Sequence, residues 1–332
     1  MISVPQSVLE ALATSFETTD THLHHFGGGD ESSDGIVYEY PYKGTRRLLK
    51  IMAIPTGGQR IGRLCLEGRL EFVRFLGENG AHIVFPQFSP GGNLYETFLD
   101  ENYLWVGYSM ELVPGKTRKE KTWDPEFFRN WGETIGKLHH LAQKYPSWEA
   151  LVDSETGEKY LTWRREWEGF YNWIQDKEVK EKWVEIKLKL EALPVDRESF
   201  GFIHNDPHIW NLLDDGNRIT LLDFDVANHH WFINDIVIAC QNNLIFLSGG
   251  MSSPIHHRDK LLGFIDFFVE GYSRENELSS EWLRRLDLFI AYRRILLFTV
   301  MNDWIQSNPK LHTSWKQMIL SQPEIVGNIF VG

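Results

Sequence analysis

The chain has 332 residues, 42% of them hydrophobic and 24% charged, a globular composition with room for two lobes of ordinary domain size. A formal net charge of -12 argues against a nucleic-acid partner, because phosphate-backbone binding needs clustered Lys and Arg. Cys65 and Cys240 form neither a zinc spacing nor a disulfide framework, and no signal peptide or bilayer-length apolar run is visible, so a cytoplasmic protein without a membrane partner is expected.

Val8, Leu9, Leu12 and Phe16 recur at helical spacing and predict a short amphipathic helix within residues 1–19. Residues 21–26 read as a strand, 27–35 as a loop, 36–40 as a second strand and 46–54 as a third, after a turn at 41–44. A glycine-rich loop in this place lets backbone N–H groups approach phosphate oxygens, which makes Gly28, Ser32 and Ser33 candidate nucleotide contacts. A flexible hairpin accounts for the same residues equally well.

Lys50, set in the apolar run Leu48-Leu49-Lys50-Ile51, is either a surface lysine or the charge that holds nucleotide phosphates. A helix is expected over residues 61–79, a hairpin turn at 89–93, and strands at 94–99 and 103–111. Val113-Pro114-Gly115 breaks the pattern. Residues 110–115 are therefore expected to be a hinge between lobes, with Glu111 and Val113 as candidate contacts to an adenine or guanine edge.

Asp124-Pro125-Glu126 is a helix start, with an acidic N-cap and proline at N1, and Phe127, Trp131, Ile135 and Leu138 then mark a buried face. His139 and His140 have no carboxylate at ligand spacing and read as core or surface residues, as do the pairs His24-His25 and His256-His257. Residues 151–200 hold two charged helices carrying Trp163, Trp167, Trp173 and Trp183, whose aromatic faces suit a core or a bound cation. Helices follow at 233–246, 258–272 and 281–306. In the last, Arg293 shares a face with Leu286, Phe289 and Ile290 and needs an anionic partner, from the protein or from a substrate.

The most informative stretch is residues 202–214 with 221–225. Two short apolar strands flank a polar loop with His204, Asp206 and Asn211, and Asp223 and Asp225 end the later strand. An aspartate two residues after a histidine, an asparagine five further on and an aspartate on the next strand is the spacing of a phosphoryl-transfer site. The chemistry explains the residue types. A carboxylate, Asp206, orients and deprotonates an attacking hydroxyl, while an amide oxygen (Asn211) and a second carboxylate (Asp223) hold Mg²⁺. Asn-Asp-Pro alone is also an ordinary turn.

With these residues the chain resembles the aminoglycoside phosphotransferase and choline kinase family, in its homoserine-kinase-like bacterial branch, from about residue 20 to about residue 300. The segment 228–235 extends the resemblance, an aromatic-rich turn followed by a helix bearing Asp235. The resemblance implies an α+β, two-lobed protein-kinase-like fold: a β-rich N-lobe over residues 1–112 and a mostly helical C-lobe over 113–332. It also implies transfer of the γ-phosphate of ATP or GTP to a small hydroxyl acceptor such as an amino alcohol, a homoserine-like compound or an aminoglycoside. Asp235 would brace the catalytic loop, with His204 as structural support.

One departure stands out. Arg69 occupies the position where the family has the glutamate partner of Lys50, and its neighbours Glu67 and Glu71 point about 200° away on a helix. That departure favours a non-catalytic kinase-fold binding protein as an alternative. A Ser/Thr protein kinase is a second, opposed by the short span from Asp225 to Asp235. Acidic net charge and abundant tryptophan tilt the acceptor toward an amine.

Overall fold

The computed structural model describes residues 3–29, 35–248 and 258–327, so Ser32, Ser33, His256 and His257 lie outside the described residues. The chain divides into two compact units, Met1–Gly115 with Thr220–Asp225, and Lys116–Ile219 with Val226–Gly332.

The first unit begins with helix α1 (Gln6–Ser15). Its strands are β1 (His24–Gly28), β2 (Ile36–Tyr42), β3 (Thr45–Pro55), β4 (Pro86–Gln87), β5 (Glu96–Leu99) and β6 (Tyr103–Glu111), with helix α2 (Gln59–Glu78) between β3 and β4. The strands form one antiparallel sheet in the order β1-β2-β3-β6-β4, and β5 also pairs with β6. Alternation along β3 sends side chains to opposite faces. Leu49 and Ile51 join Val8, Leu12, Phe16, Tyr40 and Trp105 in a core under α1. Met52 and Ile54 point the other way, toward Leu66 and Leu70 of α2 and Leu104, Val106 and Tyr108 of β6. Lys50 shares the parity of Met52 and stands directly across the ladder from Tyr108.

Two details differ from expectation. The first strand starts later, after a 3₁₀ turn at Asp20–His22, and runs on into the glycines, because Gly28 adopts φ +73° and a register shift between His25 and Gly27 absorbs the extra residue. A Cβ at Gly28 would stand 2.3 Å from the carbonyl oxygen of Gly35, so the backbones approach too closely for any side chain. The turn at residues 89–93 closes no hairpin. Ser89 N donates to Asn93 O at 2.8 Å, but β4 and β5 pair with β6 in succession and not with each other.

The second unit contains α3 (Pro125–Ala142), β7 (Leu151–Val152), β8 (Lys159–Tyr160), α4 (Trp163–Trp173), α5 (Lys177–Glu191), β9 (Phe200–Ile203) and β10 (Leu212–Asp214). The chain continues through β11 (Ile219–Leu221), β12 (Asn228–Trp231), α6 (Ile233–Ser248), α7 (Arg258–Tyr272), α8 (Ser280–Leu283), α9 (Leu286–Val300), α10 (Asn302–Gln306) and α11 (Pro309–Ser321). Asp124 caps α3 as expected, accepting from Phe127 N at 3.2 Å. α3 and α7 pack backbone against backbone: a Cβ on Gly132 would lie 1.9 Å from Phe268 O, and one on Gly271 would lie 1.9 Å from Arg129 O.

The tryptophan-rich helices resolve mostly as core. Trp167 and Trp183 stack at 6.1 Å, and each indole N–H donates to the other's carbonyl at 3.0 Å, while Trp173 stays exposed. Residues 228–231 are a strand and not the aromatic turn expected, since β12 pairs antiparallel with β9 from Asn228↔Ile203 to Trp231↔Phe200. The long helix expected over 281–306 is three pieces, interrupted between Leu283 and Leu286 and again at Met301, whose ψ of 17° leaves the α-helical range. Among the described residues no helix is long and apolar enough to cross a membrane.

Candidate active site

β9 delivers the chain into the loop with His204, Asn205 and Asp206. The loop is fixed by its backbone first. Asp235, fully buried at the start of α6, accepts from Asn205 N at 2.8 Å and from His204 N at 3.0 Å. A third donor, His139 Nε2 of α3, reaches Asp235 at 3.1 Å, and the other ring nitrogen of His139 meets Tyr272 Oη at 3.0 Å. Burial holds the His139 pKa below the ordinary value against the pull of Asp235. His204 is also fully buried, and its Nδ1 accepts from Asp206 N at 3.3 Å.

Asn205 adopts φ +66°, the left-handed region that asparagine tolerates best after glycine. The peptide turns there, and Asp206 emerges as its neighbour. Arg293 on α9 donates to Asp206 Oδ1 at 2.8 Å, and His208 Nε2 lies 3.3 Å from Oδ2. One carboxylate oxygen is held by the arginine, and the other has the imidazole beside it. Burial lowers the His208 pKa while Asp206 opposes the shift. Asn211 donates Nδ2 to Asp206 O at 3.0 Å, which leaves its amide oxygen for a cation.

Within the first unit, Lys50 is buried and its Nζ bonds Asp223 Oδ1 at 3.2 Å and, at closer range, Asp225 Oδ2. Burial opposes the lysine charge, yet Tyr108, Asp225 and Asp223 around it hold its pKa above the ordinary value. Tyr108 is itself pushed up by burial and stays neutral, so the two carboxylates carry the effect at neutral pH. These aspartates stand where a glutamate from α2 was expected. Glu67 is engaged elsewhere, with Tyr95 Oη and Arg63. Asp223 has φ +58° and a side chain 48% exposed.

Among the described residues no three His, Cys, Asp or Glu are grouped to hold a metal alone. Mg²⁺ does not require such a group, because it binds through one or two carboxylates plus substrate phosphates. Asp223 and Asn211 are hard oxygen donors of that kind. Gly28 ends β1, Glu111 ends β6 opposite Arg47, and Val113 lies two residues beyond.

Sequence reasoning missed several residues around Asp206. His208 follows it by two positions, whereas Arg293, expected to need an anion, finds it in Asp206. Glu166 lies on the face of α4 shared by Trp163, Trp167 and Phe170, a carboxylate on an apolar stripe. That face was the available signal.

A model of the phosphotransferase enzyme family matches residues 70–267, more than half of the chain. The chain belongs to the phosphotransferase enzyme family. It is a kinase-class enzyme with the kinase-like fold of that family, and the non-catalytic alternative gives way. Amicoumacin kinase of Bacillus subtilis (strain 168) is 27% identical over 253 residues, covering 73% of this chain and 70% of that protein. Among solved structures, an amicoumacin kinase in complex with AMP-PNP, Ca²⁺ and Ami superposes with a TM-score of 0.78 at 23% identity, over 93% of this chain and 91% of that one. A microcompartment-associated aminopropanol kinase follows at 0.66 and 17% identity, over 94% of each chain. These two likenesses are of fold.

Proposed function

We propose that this enzyme moves the γ-phosphoryl group of ATP or GTP to a hydroxyl of a small amine-bearing metabolite or antibiotic, with Mg²⁺ as the metal. The observation that carries this is the Asp206 carboxylate, held by Arg293 and flanked by His208 on a loop whose backbone is bonded to a buried aspartate. Such a group is placed for one direction of attack. The acceptor oxygen forms a bond to the γ-phosphorus, the bond to the β–γ bridging oxygen breaks, the nucleoside diphosphate leaves, and the hydroxyl proton passes to Asp206.

In this reading Lys50 exchanges its aspartate partners for nucleotide phosphates, and the backbone at Gly28 approaches the same phosphates. Backbone groups at Glu111 and Val113 meet the base. Asp223 and Asn211 each supply an oxygen to Mg²⁺, which when bound neutralises phosphate charge. His204 and Asp235 hold the loop. The amine preference draws on the acidic net charge, and on amicoumacin kinase and aminopropanol kinase as relatives.

The test is release of ADP or GDP with Mg²⁺ across pooled amino alcohols, sugars and aminoglycosides, with amicoumacin added and Asp206→Asn as the blank. Acceptor-dependent release that vanishes in the blank supports the proposal. Release that persists in the blank, or only with anionic acceptors, counts against it.

A further inference from the structure

Asn205 does more than turn the chain. Its side-chain Nδ2 donates to Glu166 Oε2 at short range and to Val226 O at 3.1 Å, and its Oδ1 accepts from Asn234 Nδ2 at 2.9 Å. Glu166 takes two further donors, Asn228 Nδ2 at 2.9 Å and Tyr292 Oη at 2.6 Å. Tyr292 is fully buried, stacks on Trp183 at 4.7 Å, and directly precedes Arg293, the cation on Asp206. One carboxylate on α4 thus reaches both chemical neighbours of the base: the residue before it in the loop and, through α9, the arginine that binds it.

All three groups facing Glu166 are hydrogen-bond donors, which opposes the rise that burial causes in its pKa. A glycine would satisfy φ +66° at position 205 without strain, but it would offer nothing for Glu166 to hold. The asparagine converts a permissive turn into a fastened one.

We propose that Glu166 is a positioning residue for catalysis, setting the aim of Asp206 through Asn205 and through Tyr292–Arg293. The proposal rests on Asp206 being the base. It makes α4 part of the catalytic apparatus, not only a wall of packed tryptophans. Loss of this brace leaves nucleotide binding intact and reduces the fraction of time that Asp206 faces the acceptor correctly.

Glu166→Gln is nearly isosteric, so it replaces one accepting oxygen with a donor amide at little change in volume. Its kcat is expected to fall about 10- to 100-fold with the KM for nucleotide unchanged, the scale of a sub-ångström misplacement of a reacting group. Combined with Asp206→Asn it should add nothing further, because the brace acts only through the base. Asn205→Gly should lose a similar factor. Amide hydrogen exchange supplies an arm that needs no acceptor: the peptide spanning residues 204–211 should exchange faster in Glu166→Gln, and that spanning 220–225 should not.

A parental kcat in Glu166→Gln, losses that multiply in the double variant, or unchanged exchange in residues 204–211 would each overturn the inference while leaving the base in place. An Asp206→Asn enzyme as fast as the parent would bring down the base assignment, and the brace with it.

Discussion

Lys50 gathers Asp223 and Asp225 by charge, and one of those carboxylates is 48% exposed, whereas Asp206 sits on a loop tied to Asp235, a group with no exposure at all. The first arrangement is exchangeable. A phosphate can replace a carboxylate on a lysine at small net cost, since one anion leaves as another arrives. The second is locked by three donors to one buried carboxylate, and releasing any one bond leaves a buried polar donor without its partner. On the proposed reading, the group that must meet its substrate within a few tenths of an ångström is the locked one, and the group that must trade partners is not.

The largest effect expected along this comparison is on rate. Asp206→Asn should lower turnover about 10²- to 10⁴-fold with nucleotide affinity preserved, as steady-state kinetics beside equilibrium nucleotide titration would reveal. Asp235→Ala strikes the lock itself and should cost about 3 kcal/mol or more of stability in urea unfolding, because it leaves two backbone N–H groups and His139 unpaired at about 1–3 kcal/mol each. A loss within 0.5 kcal/mol of zero, the ordinary range for surface changes, would mean that the loop is held by something else.

Lys50→Met addresses the exchangeable half. It should weaken nucleotide binding by about 1.5–3 kcal/mol, roughly 10- to 150-fold, the worth of hydrogen bonds to a charged group. Calorimetric titration with a non-hydrolysable nucleotide measures it, and an unaltered affinity would remove Lys50 from the site.

The smallest effect is a slope in pH. His230, fully buried on β12, has its pKa pushed down to about 3 from 6.5 by burial. The folded form thus stays neutral where the unfolded chain takes up a proton. Stability from this residue is complete above the unfolded pKa and declines as pH falls below about 6.5, by up to about 1.4 kcal/mol per pH unit. His230→Phe should flatten that acid limb in urea unfolding at pH 7 and pH 5. The same slope in both proteins would assign the limb to other groups.

The legible part of the site lay within one short stretch. His204, Asp206 and Asn211 fall inside eight residues, and their spacing is set by a loop too short to arrange them otherwise. The periodicity of α3, its Asp124 cap and the alternation of β3 were equally local. The strand β12 was misjudged because His229, His230 and Trp231 are buried on both faces and show no alternation to read.

The sequence by itself determined the family and the kinase class, because the proposed catalytic loop is a local object whose residue types and spacing survive without the rest of the chain. Tertiary structure alone decided the partners. Arg293 reaches Asp206 across 87 residues, Glu166 reaches Asn205 across 39, and Lys50 finds Asp225 across 175 in place of a glutamate on the neighbouring helix. No periodicity encodes such pairs, since which carboxylate a buried cation meets depends on how helices and strands distant in sequence pack, and on which charges that packing removes from water.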